Sequence, residues 1–325
     1  MDELRYYSFS HYLRRRFGCR VQKVTLHAGF TCPNRDGRVG HGGCVFCNNA
    51  GFSPNLRVGS AEVREQLARG IESNRGRRIG KFIAYFQAYT NTYAPVEELR
   101  VLYDEVWKHP EVAGLAIGTR PDCVDDRILD LIVGYLSRGM VWIEYGLQSA
   151  HDKTLELVNR GHDYACFEKA VLVTSGRGIE VCAHTILGLP GEDREMMLET
   201  HRRLARLPIR GIKIHLLHIM KNTVMARQYA RGGIRLLARG EYVSLVCDML
   251  EQLPPTVAIQ RMHADAPRDV LVAPDWCLDK AGILEDIRRE LLRRDSWQGK
   301  ALGFSIADIP TVPPSSLARP TGVAS

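Results

Sequence analysis

The sequence of 325 residues contains no uninterrupted apolar run of about 18 residues, which is the length that a membrane-spanning helix requires. Its first residues, MDELRYY, lack the basic and then apolar order of a secretory signal peptide, so we expect a cytoplasmic protein with no membrane partner. No G-x-G-x-x-G motif opens the first predicted helix, which disfavours a dinucleotide-binding domain. Without an export signal, the nine cysteines indicate metal binding or catalysis rather than a disulfide framework.

Lysine is scarce among the 44 basic residues, because nine are lysine and 35 are arginine. The net charge is +7, and arginine binds phosphate and carboxylate groups through two parallel hydrogen bonds. A nucleic acid or another anion as partner is one interpretation, and a solvated arginine-rich surface is the other. Near the N-terminus, Tyr6 and Tyr7 precede a basic triplet at 14–16. That order is typical of a segment that binds a nucleic-acid backbone and stacks against a base, and it is equally typical of an ordinary helix with one solvated face.

Strand-like apolar segments alternate with helical patterns along the chain. The predicted strands are 21–27, 81–87, 112–117, 140–145, 179–187 and 212–219. This alternation is typical of parallel strands joined by right-handed crossovers. Six units are fewer than the eight of a closed barrel, so the sequence predicts an α/β fold with a partial (β/α)6 TIM-like barrel. A doubly wound sheet is the alternative.

The same patterns predict a division of the chain into four parts. A helical segment at 1–20 precedes the barrel at 21–255, and an α-rich C-terminal extension occupies 256–309. The tail at 310–325 is rich in proline, serine and small residues, and we expect it to be disordered.

Three cysteines lie in one glycine-rich loop after the first predicted strand. Cys32, Cys44 and Cys47 have the spacing C-x11-C-x2-C. Three thiolates suit a soft metal or an iron–sulfur cluster, whereas a structural zinc site usually has four protein ligands. A zinc site and a C-x-x-C redox pair are the alternatives, and the redox pair leaves Cys32 without a role. We interpret the other six cysteines as small buried apolar residues.

This loop and several later motifs resemble the radical S-adenosylmethionine (SAM) superfamily. The later motifs follow predicted strands and are GTRPD at 118–122, EYGLQS at 144–149, NRGH at 159–162 and HTILGLPGE at 184–192. The segments CPNRDG, YFQAYTNTY and HADAP are most similar to the Elongator-like branch with the bacterial YhcC/YtqA-type proteins. The oxygen-independent coproporphyrinogen oxidase branch is also similar. The resemblance extends from about residue 6 to residue 275.

The resemblance implies a cofactor arrangement. Cys32, Cys44 and Cys47 would bind three irons of a 4Fe–4S cluster, and the amino and carboxylate groups of SAM would bind the fourth. One electron, from a flavodoxin- or ferredoxin-type donor, would then split SAM and give a 5′-deoxyadenosyl radical. The resemblance places the reacting groups at the C-terminal edge of the strands, as in other barrels of this kind.

The side chains at these strand ends are the candidate SAM ligands. Arg160 suits the carboxylate through its planar fork, and Gln87 or Thr90 suits the amino group. The remaining candidates lie toward the ribose and adenine and are Glu144, Gln148, His184 and Gly188. A mutual ion pair between Glu144 and Arg160 is the alternative for those two residues, and a capped strand-end turn is the alternative around Gln87. No residue is assigned a catalytic role on the substrate.

The sequence thus predicts a radical SAM enzyme, and the Elongator-like resemblance favours a wobble uridine of tRNA as substrate. The first alternative is a radical SAM enzyme that acts on a small anionic metabolite, as in the coproporphyrinogen oxidase branch. The second is an iron–sulfur or zinc protein that binds RNA without being an enzyme. On the substrate side, the resemblance places His215 and His218.

Overall fold

A single parallel sheet organises the chain, and the computed structural model describes residues 5–48, 62–263 and 266–311. The sheet has seven strands in the order β1-β2-β3-β4-β5-β6-β8. They are β1 (Val21–Leu26), β2 (Lys81–Phe86), β3 (Val112–Thr119), β4 (Met140–Gln148), β5 (Glu180–Leu187), β6 (Gly211–Leu216) and β8 (Ala258–Arg261). The sheet curls into a half-barrel, so that Lys23 on β1 donates a hydrogen bond to Gln260 on β8. The predicted partial barrel is therefore confirmed, with one strand more than expected.

Helices connect the strands and cover the outside of the sheet. In chain order they are α1 (Phe9–Phe17), α2 (Val63–Glu72), α3 (Val96–Trp107), α4 (Asp126–Val133), α5 (Asp152–Leu157), α6 (Tyr164–Gly176), α7 (Arg194–Ala205), α8 (Val224–Ala230), α9 (Arg239–Glu251) and α10 (Lys280–Arg293). Aspartates begin four of them, because the carboxylates of Asp125, Asp163, Asp193 and Asp279 each accept a hydrogen bond from a backbone N–H in the first turn. None of the helices in the described ranges combines the length and apolar character that crossing a membrane requires.

Alternation along the strands separates two environments. Odd and even positions point to opposite faces of a strand, and here both faces are buried. Apolar side chains such as Ile143, Tyr145, Ile212 and Ile214 point outward and pack against the helices. The inward positions are largely polar, and they form the lumen of the half-barrel. This division places chemistry-bearing side chains inside a shell that is held together by apolar packing.

Helix α1 closes the N-terminal end of the lumen. The rings of Phe9 and Tyr12 lie 5.7 and 5.5 Å from that of Trp142 on β4, in edge-to-face contacts. The Tyr12 hydroxyl donates to the Glu180 carboxylate at the start of β5. Tyr7 is also buried in this cluster. The hypothesis that the N-terminal tyrosines stack bases is therefore wrong for Tyr7, because its side chain belongs to the core.

The C-terminal part departs from the sequence prediction in its strands. The predicted strand 212–219 is interrupted after Leu216, and β7 (Ile219–Met220) pairs instead with β9 (Leu271–Ala273) in a separate antiparallel pair. The short β8 was not predicted at all. The tail prediction concerns 310–325, of which 312–325 lie outside the described residues, and the division into four parts stays a prediction.

Candidate functional site

A single cavity at the C-terminal ends of the strands collects nearly all the predicted site residues. It is open to solvent, and its empty space, together with the part that is continuous with solvent, is about 1280 Å³. Parallel strands bring their carboxyl ends to one edge, which is why residues far apart in sequence meet there. The cavity brings together nine of the ten candidates, namely Cys32, Cys44, Cys47, Gln87, Thr90, Glu144, Gln148, Arg160 and His184.

Gly188 is the predicted site residue that the cavity wall does not include. Its φ of +83° suits glycine, and an added Cβ would lie 3.3 Å from Leu237. Its amide N–H faces the sulfur of Met197 at 3.1 Å. The turn at Gly188 therefore packs against Leu237 and supports the neighbouring Leu217, which does line the cavity.

The cysteine loop is fastened to the segment that follows α5. The Asn34 side chain donates to the carbonyl of Asn159 at 2.6 Å, and the Asn159 side chain donates to the carbonyl of Gly43 at 2.9 Å. Between the backbones, Val45 N–H donates to the carbonyl of Val158. These reciprocal bonds fasten the loop to this segment. Sequence reasoning quoted Asn34 and Asn159 within motifs without assigning them this role.

Arg160 joins the cysteine loop to the end of β4. Its Nε and Nη2 donate to the carbonyl of Gly146 at 3.2 and 2.6 Å, and its Nη1 donates to Cys44 Sγ at 3.6 Å. Arg120, paired with Asp122 through two hydrogen bonds of 2.8 Å, donates in turn to the carbonyl of Arg160. The alternative of a Glu144–Arg160 ion pair is therefore wrong, because Arg160 is committed to Gly146 and Cys44.

The donor chemistry of the loop fits a cluster better than a single ion. Three thiols line the cavity wall. In the described ranges, no three His, Cys, Asp or Glu side chains converge on a point that one metal ion could occupy. A cluster spreads its thiolate ligands because each one binds a different iron. Burial and the neighbouring Cys44 raise the pKa of the Cys47 thiol to about 11, so binding iron there would displace a proton.

The residues after β2 form a second wall of the cavity. Thr90 is 1 % exposed, and its hydroxyl has no hydrogen-bond partner among the described residues. Its backbone N–H donates to the carbonyl of Thr31 in the cysteine loop, and the Asn91 side chain donates to the carbonyls of Phe86 and Gly118. A buried hydroxyl without a partner is costly unless a ligand completes it. Thr90 therefore fits a wall that faces a polar ligand.

Gly146 lets the side chains of Arg160 and Gln148 meet at the end of β4. An added Cβ would lie 2.7 Å from both Arg160 Nη2 and Gln148 Nε2. Gln148 itself has a φ of +79° and lies where the β4–β5 register shifts. In the sequence, Gly146 lies two residues after Glu144 and two residues before Gln148, so all three share one face of a strand. This spacing could have indicated its role.

Glu144 is the centre of a buried charge network in the lumen. Its side chain is fully buried, and Lys23 Nζ donates to Oε1 at 2.6 Å. On Oε2, Glu144 accepts from His184 Nε2 at 2.9 Å and from Lys213 Nζ. Lys213 also donates to the Tyr85 hydroxyl at 3.0 Å. Both carboxylate oxygens are thus occupied, and a ribose hydroxyl would have to share them with these donors.

The network has a defined protonation state near neutral pH. Burial opposes the ionisation of Glu144, but Lys213, Lys23 and the hydrogen bond from His184 hold its pKa well below its usual range. Burial and Lys213 lower the pKa of His184 to about 4, so the ring is neutral and carries its proton on Nε2. Burial lowers the pKa of Lys213 to about 8, against the opposing effect of Glu144. Near pH 7 Glu144 is therefore an anion and His184 is neutral.

Sequence reasoning missed the cations of this network. Lys23, Lys213 and Arg261 all belong to strands, and all three lie in or next to the lumen. The alternation of side chains along β6 could have indicated the buried lysine. In its sequence GIKIHL, Lys213 and His215 share one face of the strand, while the isoleucines share the other. Lysine in the middle of an apolar strand is a buried cation, and it requires a nearby acid or an anionic ligand.

Comparison with known proteins identifies the class that this fold and site define. The model of the Radical SAM superfamily matches residues 34–204, and the model of the Radical_SAM C-terminal domain matches residues 209–293. The chain belongs to the radical SAM superfamily. The resemblance inferred from the cysteine loop and the strand-end motifs is confirmed.

Relatives within the superfamily agree with the YhcC/YtqA-type resemblance. The chain is 44% identical over 305 residues to the protein YtqA of Bacillus subtilis, covering 92% of this chain and 93% of that protein. It is 43% identical over 292 residues to the protein YhcC of Escherichia coli K12, covering 90% and 93%. A more distant similarity, 27% over 175 residues, joins it to a tRNA uridine(34) acetyltransferase of Dehalococcoides mccartyi, covering 53% of this chain and 37% of that one.

A solved structure supports the fold. The archaeal Elp3 of Methanocaldococcus infernus with an N-terminal deletion superposes with a TM-score of 0.67 at 18% identity, covering 86% of this chain and 64% of that one. At this identity the similarity shows the shared half-barrel and its helices.

Proposed function

We propose that this chain is a radical SAM enzyme in which Cys32, Cys44 and Cys47 hold a 4Fe–4S cluster. When bound, such a cluster supplies one electron to SAM, whose carbon–sulfur bond then breaks to give methionine and a 5′-deoxyadenosyl radical. The observation that carries the proposal is the three-thiol wall of one cavity, next to Arg160 and the buried Thr90 hydroxyl. A flavodoxin- or ferredoxin-type protein is the proposed electron donor.

The protein side chains orient SAM in this proposal. Arg160 lies between Cys44 and the end of β4, and in this proposal the N–H groups of its guanidinium that Gly146 and Cys44 do not use would hold the SAM carboxylate beside the cysteine loop. Thr90 and Gln87 face the same space and would accept from the amino group, while Gln148 would bond the ribose. Leu217 and Ile186 give the wall an apolar part that excludes water from the reacting centre.

The cofactor proposal is tested by anaerobic reconstitution. The purified chain is loaded with iron and sulfide, mixed with SAM and dithionite, and its products are analysed by mass spectrometry. We expect 5′-deoxyadenosine in the complete mixture and none when dithionite is omitted. Bound zinc with no brown colour and no 5′-deoxyadenosine would contradict the proposal and favour a non-enzymatic zinc protein.

Replacing Gly146 with alanine tests the role of Arg160. The added methyl meets the flexible ends of Arg160 and Gln148, so we expect the fold to persist and the guanidinium to move. Loss of a charge-assisted hydrogen bond costs about 1.5–3 kcal/mol, which predicts SAM binding weaker by at least about tenfold in equilibrium dialysis. Gly240→Ala is the matched control, because an added Cβ there meets nothing within 4 Å. Equal SAM affinities in the two variants would refute the role of Arg160.

We further propose that the substrate is a uridine at the wobble position of tRNA. The support is the similarity to a tRNA uridine(34) acetyltransferase over 53% of the chain, together with the net charge of +7. The chain covers 37% of that relative, so the acetyl transfer of its name is not carried over.

The tRNA proposal is tested with a deletion strain of the source organism. Mass spectrometry of its tRNA nucleosides is expected to show one wobble-uridine derivative lost and a precursor accumulated. Complementation with the natural gene should restore the derivative, whereas complementation with a Cys44→Ala gene should not. Identical nucleoside profiles in deletion and wild-type strains would contradict the tRNA assignment.

A small anionic metabolite is the second candidate substrate. The observation that favours it is the excess of positive charge in the lumen, where Lys213 and Arg261 lie on neighbouring strands. The two candidate substrates share an anionic group.

A further inference from the structure

The lumen below the cysteine loop carries more positive than negative charge. Lys213 and Arg261 line it, and Lys23 reaches it from β1. Among the described residues of the cavity wall, Glu144 is the single carboxylate, and it already neutralises one lysine. The charge that remains is unfavourable in a partly buried space unless an anion enters.

Two of the histidines that line the lumen, His184 and His215, do not change this balance. Burial, followed by the nearby His184 and Arg261, lowers the pKa of His215 well below its usual range. His184 is neutral as well. The ring centroids of His184 and His215 lie 5.4 Å apart, closer to the opening of the cavity than the lysines. They therefore offer hydrogen bonds to a ligand and add no charge.

Among the cations of the lumen, Arg261 has the most N–H donors left to bind a ligand. It lies in register with Lys213 across the β6–β8 pair, at a shift in the pairing that turns it toward the cavity. The side chain is half-buried, and within the described chain it forms no hydrogen bond or ion pair. A guanidinium has five N–H donors in a planar fork, which matches the two oxygens of a carboxylate or phosphate.

Lys213 adds a donor next to this fork. Its ammonium has three N–H groups, of which one faces the Tyr85 hydroxyl and one faces Glu144. The third is available. His215, two residues further along β6, lies on the same face and lines the same space.

We propose that Arg261, Lys213 and His215 form a subsite for an oxyanion, a carboxylate or a phosphate, of the substrate on which the radical acts. The inference rests on the proposed function, since it assigns the substrate class for the same cavity. The subsite lies on β6 and β8, whereas the proposed SAM contacts come from the residues after β2, the end of β4 and Arg160 after α5, so the two ligands would contact different parts of the cavity wall. The oxyanion belongs either to a small carboxylate or to a nucleotide.

Probe binding to the reconstituted, SAM-saturated protein without reductant tests the subsite. Succinate, inorganic phosphate and uridine 5′-monophosphate are titrated calorimetrically at constant ionic strength, with chloride as the background anion. We expect saturable binding of at least one probe, weakened at least tenfold in Arg261→Gln and partly recovered in Arg261→Lys. Arg206→Gln, an exposed arginine at the end of α7, is the matched control and should bind like the natural protein.

Each result supports or overturns the subsite. Preference for succinate identifies a carboxylate substrate, and preference for uridine 5′-monophosphate identifies a nucleotide. Binding of no probe, or equal binding in the natural protein and both Arg261 variants, overturns it. If 5′-deoxyadenosine forms in the reductive assay while no probe binds, the subsite fails and the proposed function stands. If a probe binds through Arg261 while no 5′-deoxyadenosine forms, the proposed function fails and the anion site stands.

Discussion

Replacing Glu144 with glutamine is expected to lower the free energy of unfolding by about 3–5 kcal/mol, the range found when one partner of a buried ion pair is removed. The variant leaves Lys23 and Lys213 facing each other without their common counterion. Urea denaturation followed by circular dichroism measures the loss. Glu195→Gln is the matched control, because its carboxylate is 71% exposed and pairs with Arg202 at the surface. We expect that control to lose less than about 1 kcal/mol.

The pH dependence of unfolding gives an independent check on Glu144. Its pKa in the folded state lies below the ordinary value of 4.5, so its contribution to stability is complete above pH 4.5 and is lost as the pH falls further. The difference in stability between the natural protein and Glu144→Gln should therefore shrink between about pH 5 and pH 3. A difference that is constant over that interval, or losses equal to those of the Glu195 control, would show that the carboxylate does not carry a buried charge.

Replacing Cys44 with alanine is expected to abolish both cluster assembly and the formation of 5′-deoxyadenosine. Cys44 is buried in the loop and accepts hydrogen bonds from Arg160 and Asn34, so its sulfur holds a fixed position in the wall. With two thiolates left, we expect iron content well below four per chain and no brown colour. The measurements are metal analysis by mass spectrometry, visible absorption and product analysis after reduction with dithionite.

A cysteine outside the loop supplies the control for this prediction. Cys166 lies on the outer helix α6, is half-exposed, and its side chain is not part of the cavity wall. Cys166→Ala should keep the colour, the iron and the product of the natural protein. Full iron content and 5′-deoxyadenosine in Cys44→Ala would remove Cys44 from the ligand set and leave the cluster proposal without its central residue.

Much of the fold could be predicted from sequence, because alternation and helical spacing are local properties. The first five strands were predicted within a few residues, since each is a run of apolar residues of ordinary strand length. Strand β8 was missed because four residues carry too little pattern, and its place depends on pairing with β6. The break after Leu216 was missed because the apolar run continues through it.

The site could be predicted only where residues form motifs. The cysteine spacing and the strand-end motifs led to the cavity wall, but the partners of each side chain did not follow from them. Glu144 was predicted to contact SAM, with an ion pair to Arg160 as the alternative, and in the structure its carboxylate pairs with lysines from strands β1 and β6. Those lysines are distant in sequence, so curling of the sheet, which no local pattern encodes, decides that they meet.

Helix α1 decides from which side the lumen is reached. With Phe9 and Tyr12 packed under Trp142, the N-terminal end of the half-barrel is filled in the described part of the chain. SAM and a substrate would therefore approach from the C-terminal ends of the strands, where the cysteine loop lies. Because both would pass the same edge of the sheet, each ligand, once bound, is expected to slow the exchange of the other, and steady-state kinetics would show this as mutual dependence of their binding.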